Sequence, residues 1–100
     1  IKVTLKKISS LSKKVGADFY ILIYPYPDTM MFGQEYFNWE KFAQNACVAS
    51  NCKKLINAFV PFYKIKNKNE DWLEKLFIDE DLHHSELGNT IISNLIIKEF

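Results

Sequence analysis

Apolar positions in residues 1–15 recur at three- and four-residue steps through Ile1, Leu5, Ile8, Leu11 and Val15. Lys2, Lys6, Lys7, Lys13 and Lys14 fall mostly on the other side. That spacing predicts an amphipathic helix with one face turned to a core. Gly16 stands where helices commonly end on a residue that takes positive φ. The pattern then changes period. Phe19-Tyr20-Ile21-Leu22-Ile23-Tyr24 is an unbroken apolar, β-favouring run closed by Pro25 and Pro27. A run without polar alternation predicts a strand buried on both faces, as in a parallel sheet covered by helices. Helix, short turn and buried strand together make half of a βαβ unit.

The two prolines push the residues before them toward extended geometry and give the strand a stiff exit. Residues 28–37 read as a loop carrying Met30, Met31, Phe32, Tyr36 and Phe37. In open α/β sheets ligands bind beyond the carboxyl ends of the strands, so this loop either lines an acyl or sugar pocket or packs over the sheet edge. Asn38 is a good N-cap for a helix from Trp39 to about Ala49, with Trp39, Phe42, Ala43 and Ala46 inward. Lys54 to Phe59 reads as a second strand ended by Pro61, and residues 64–70, rich in Lys and Asn, as a solvated stretch. Residues 71–76 predict a short helix with Trp72 and Leu76 on its buried face. Phe77-Ile78 reads as a brief strand. Ser85 to Lys98 reads as a final helix, capped by Ser85 and striped by Leu87, Ile91, Ile92, Leu95 and Ile96.

One hundred residues support a single core. The net charge is +1 and all 13 basic residues are lysines. A nucleic-acid binder would carry a basic excess and arginine for bidentate contacts, so nucleic acid is not expected as a partner. No apolar run reaches the roughly 18 residues of a membrane span. The sequence starts at Ile1 and reads as a piece of something longer. Cys47 and Cys52 lack the second ligand pair of a structural zinc site. Two free buried thiols and a short-loop disulfide both fit their spacing.

The chemistry is concentrated in Asp79-Glu80-Asp81-Leu82-His83-His84-Ser85-Glu86-Leu87-Gly88-Asn89, which opens on three consecutive acids and holds both histidines. A carboxylate beside an imidazole orients a general base and stabilises its cationic form. The structural alternative is a charged turn that caps the last helix, with Asp79 and Glu80 facing water or the helix dipole. His84 reads as a turn or packing residue. Adjacent histidines rarely ligate one ion and no further ligand stands nearby, so neither a metal nor another cofactor is expected.

Asp81-x-His83, Gly88 five residues after the histidine, and an aliphatic helix together resemble the final block of the SGNH (GDSL-like) hydrolase family. The upstream order is similar too: a buried strand ending in Tyr24-Pro25-Tyr26-Pro27, a Trp39-led helix with Cys47 and Cys52, then Ile56-Asn57-Ala58-Phe59 and Pro61-Phe62. The resemblance implies a three-layer α/β/α sandwich with a parallel sheet, of which residues 1–100 form the C-terminal part. It implies a serine esterase or O-acyltransferase, with His83 as general base and Asp81 as its orienting acid. Glu80 holds the alternative acid position. It further implies an acylated carbohydrate or other ester as substrate, an extracytoplasmic location, and a Cys47–Cys52 disulfide. The family's Gly-Asp-Ser nucleophile motif is not in this sequence, whose glycines stand at 16, 33 and 88. The remaining partner implied is therefore the N-terminal part of the parent domain, without which the chain is expected to be inactive. The rival expectation is a non-catalytic α/β module, either a degenerate hydrolase or an interaction fragment.

Overall fold

A computed structural model describes residues 2–78 and 83–100, with only the backbone of Lys2. The elements run α1 (Lys2–Lys14), β1 (Tyr20–Ile23), α2 (Pro27–Phe32), α3 (Trp39–Ser50), β2 (Lys54–Asn57), α4 (Phe59–Lys68), α5 (Trp72–Leu76) and α6 (Glu86–Glu99). The fold is mixed α/β, and β1 and β2 pair in parallel, with Tyr20 opposite Lys54 and Ile23 opposite Asn57. Parallel strands cannot be joined by a tight turn, and α3 lies in the crossover between them.

Helix α1 ends as the sequence predicts. Gly16 has φ 72°. The amide of Ala17 donates to the carbonyl of Ser12 at 2.8 Å and that of Gly16 to Lys13 at 3.2 Å. These are the two hydrogen bonds of a Schellman closure. The face that α1 buries is not the predicted one. Ser9 is buried and Leu5 and Ser12 are half-buried, whereas Leu11 and Val15 are 62% and 79% exposed. The helix packs along α3, and a sheet of two strands about 5 Å apart is too narrow to lie beneath both helices. For the same reason β1 is half-buried throughout rather than enclosed on both faces.

Helix α3 closes by the same device. Asn51 takes the left-handed conformation (φ 56°), its amide donates to Val48 at 3.3 Å, and the amide of Cys52 donates to Cys47 at 2.9 Å. This turn folds residue 52 back over residue 47. The two Cα atoms lie 4.8 Å apart and the side chains form a disulfide, one of the two readings their spacing allowed. The chain then enters β2 directly, with Lys53 N donating to Phe19 O at 2.6 Å.

Two helices, α2 and α4, stand where the sequence predicts none. Strand β2 stops at Asn57, because the Asn57 carboxamide oxygen accepts from the Phe59 amide at 2.9 Å and turns the chain into α4. Pro61 falls in the first turn of α4, where no amide donor is needed, so it does not end the segment. The Lys- and Asn-rich stretch is largely the exposed end of that helix. Residues 27–32, expected as the start of a loop, form a short helix because Pro27 suits a helix N-terminus and Met30 is drawn into the core. That core joins Met30, Ala58, Phe62, Leu76 and Phe77, with Trp72, Ile91, Ile92 and Leu95 packed around it. Trp39, expected inward, is 49% exposed. Helix α6 has its predicted extent within a residue, and its far end meets the sheet through Lys54–Glu99 at 2.6 Å and the Tyr20 and Phe100 rings at 4.9 Å.

Thiol titration of the denatured, unreduced protein should find no free thiol. Replacing Cys47 and Cys52 by alanine should lower stability by about 2 kcal/mol, the small value reflecting the short loop that is closed.

Candidate functional site

The histidine turn is built by the packing of α5 against α6. After α5, Phe77 and His84 form an isolated antiparallel bridge, with Ser85 N donating to Leu76 O at 2.9 Å and Ile78 N to His83 O at 3.0 Å. The expected brief strand at 77–78 is thus a single bridge. Ser85 fixes the other side. Its hydroxyl accepts from Gly88 N at 3.2 Å, capping α6, and donates to the carbonyl of Lys75.

Gly88 is buried, and its position explains its distance from the histidines. A β-carbon there would stand 2.5 Å from the carbonyl oxygen of Leu76 and 3.1 Å from the His84 β-carbon. The first turn of α6 can settle on the end of α5 only because that atom is missing. The need is one of space, not of backbone conformation.

His84 points into the fold. Its Nε2 lies 3.3 Å from the carbonyl oxygen of Pro25, two residues past the end of β1. Its ring meets those of Tyr24, Phe62 and Phe77 at 4.9, 5.4 and 5.3 Å. Burial holds the imidazole below its ordinary pKa near 6.5, the Pro25 carbonyl pulls the other way, and the neighbouring His83 lowers it further. This histidine ties the turn to the carboxyl end of the parallel sheet. His83, one residue earlier, is exposed beside that anchor. Asp81, the proposed partner of His83, and Glu80, its alternative, lie outside the described residues, as does Asp79. Ser85 is committed to capping and does not resemble an activated nucleophile. Cys47 and Cys52 tie the end of α3 to the start of β2, at the opposite end of the sheet from the histidines.

A second constellation at the carboxyl end is not apparent from the sequence. Glu40, in the first turn of α3, accepts from Gln34 Nε2 at 2.9 Å and from Asn57 Nδ2 at 2.8 Å, while its amide donates to Gln34 Oε1 at 3.1 Å. Gln34 Nε2 also reaches the Tyr63 hydroxyl at 3.4 Å. This network binds the loop before α3 to the end of β2. The one sequence signal was a polar Asn57 at the tip of an apolar strand. Beside the network, a cleft of about 310 Å³ opens at the exit of β1, lined by Ile23, Tyr24, Tyr26, Trp39 and Phe59 among others. Among the described residues no group of three or more potential ligands converges as a metal site.

Comparison of the chain with family models, curated proteins and solved structures found no match in any of the three.

Two measurements probe this assembly. Gly88→Ala should cost about 1–3 kcal/mol in denaturant unfolding, since backbone rather than a flexible side chain blocks the added methyl group. The second is pH dependence. The folded pKa of His84 is depressed, so the unfolded chain takes up the proton first as pH falls. The stability that neutral His84 contributes is complete above its ordinary pKa and is lost below it, down through the folded pKa. Thermal unfolding followed from about pH 8 to about pH 5 should show this loss, and His84→Gln should flatten it.

Proposed function

We propose that this chain is the C-terminal portion of a serine-dependent esterase or O-acyltransferase of the SGNH type, acting on an acylated carbohydrate or related ester. His83 is its general base and Asp81 the acid that orients it. The observation carrying the reading is the anchoring of the histidine turn on the Pro25 carbonyl, which holds His83 at the carboxyl end of a parallel sheet. That end is where open α/β folds bind ligands. The Gly88 approach gives the five-residue interval from His83 a structural reason, which supports the resemblance of the block as a unit.

In this reading the serine hydroxyl comes from an upstream part of the parent domain. His83 takes its proton as it attacks the ester carbonyl, and Asp81 stabilises the imidazolium that forms. His83 then returns the proton to the leaving alkoxide, and a water or second hydroxyl resolves the acyl-enzyme by the same route. The parent would complete a three-layer sandwich around β1 and β2. The Cys47–Cys52 bond favours an oxidising, extracytoplasmic compartment. No helix among the described residues is long and apolar enough to cross a membrane.

One observation favours a second reading, a non-catalytic α/β module. Ser85, the serine nearest the histidines, is occupied at both hydroxyl positions by backbone partners. The coding sequence upstream of Ile1 separates the two, since a strand followed by Gly-Asp-Ser supports the enzyme and an unrelated domain supports the module.

In the full-length parent, His83→Ala should reduce ester turnover on the order of thousands-fold, while the isolated chain should hydrolyse no ester. Wild-type-like turnover in that variant would sink the catalytic assignment.

A further inference from the structure

We propose that the cleft at the exit of β1 receives the acyl group of the ester substrate, an inference that rests on the esterase reading above. Its place is the first argument. Tyr24 lines the cleft and also meets His84 edge-on at 4.9 Å, so one ring separates the cleft from the histidine turn. A group seated there lies on the side of the sheet where the scissile bond must be.

Size and chemistry narrow the occupant. About 310 Å³ is at the small end of the roughly 300–1,000 Å³ typical of ligand pockets, which suits a short chain. Leu22, Ile23 and Phe59 supply hydrocarbon, Tyr24, Tyr26 and Trp39 supply ring faces, and Thr29 supplies one aliphatic hydroxyl. Among the described residues no charged side chain lines the space. An ionised ligand would be desolvated there without a counter-charge among the described residues, and a sugar ring would set hydroxyls against the hydrocarbon of Leu22, Ile23 and Phe59. A hydrocarbon acyl chain makes no such demand.

The cleft is also formed in advance. Pro25 and Pro27 are buried and stiffen the Tyr24–Tyr26 side. The Glu40 network fixes the residue next to Trp39, and Asn57 holds the Phe59 amide. Little ordering is left for a ligand to drive, which favours binding of even a small group.

The test uses the isolated chain with Trp72→Phe, so that fluorescence reports Trp39, titrated with methyl hexanoate and separately with methyl α-glucopyranoside. Expected is a saturable Trp39 response to the ester and none to the glucoside. Tyr26→Ala, an exposed position, should weaken ester binding on the order of tenfold. Thr29→Phe, which fills the space without adding an indole, should abolish it. A glucoside response, no saturable ester response, or ester binding indifferent to both cleft variants would each overturn the inference. Lost turnover in His83→Ala of the parent together with no ester binding would remove the acyl site but not the esterase reading. Ester binding with undiminished turnover in that variant would do the reverse.

Discussion

The first turn of α6 rests on the carbonyl of Leu76 at a separation that leaves no room for a β-carbon at position 88. The histidine turn depends on that approach. It brings Ser85 within reach of both the Gly88 amide and the Lys75 carbonyl, and it sets the Phe77–His84 bridge. With the bridge in place, the His84 imidazole lies between the rings of Phe62 and Tyr24 and reaches the Pro25 carbonyl. A chain of backbone contacts thus links the last helix to the exit of the first strand, and His83 is carried on it. His83 is exposed one residue from that half-buried anchor.

The two ends of the sheet are secured by different means. At the start of β2, the left-handed Asn51 and the Cys52-to-Cys47 hydrogen bond close α3, and the disulfide fixes that closure covalently. At the carboxyl end the ties are non-covalent: the Glu40 network, the Asn57 turn into α4, and the histidine anchor. Glu40 gains further from its place in the first turn of α3, where the helix dipole favours negative charge. The covalent tie therefore preserves architecture at one end, while the polar ties at the other determine the shape of the proposed site.

Between these ends the sheet is narrow. Among the described residues β1 pairs only with β2, and α1 turns Leu11 and Val15 to the surface. The proposed sandwich would set further strands beside β1, under that stripe. Such a sandwich would account for a strand with no polar alternation in its sequence that is only half-buried here.

Local chemistry made much of this legible in the sequence. Gly16, Asn38 and Ser85 are capping residues whose roles are set by their own backbone neighbours. The change from helical to strand-like patterning at Phe19 is likewise a local signal. The aromatic stretch after Pro27 misled, because one fully buried Met30 turned part of it into a helix, and Pro61 misled because its tolerance depends on its place within a turn. Burial of the α1 stripe depended on how wide the sheet is. The Glu40–Gln34–Asn57 network depended on residues up to 23 positions apart meeting at one sheet end. The sequence by itself determined α1, β1, α3, α5, α6 and the start of β2, and the Asp81, His83 and Gly88 spacing, since these are written in neighbouring residues. Only the tertiary structure decided what His84 packs against, because its partner is the Pro25 carbonyl, 59 residues away and beyond the reach of any local pattern.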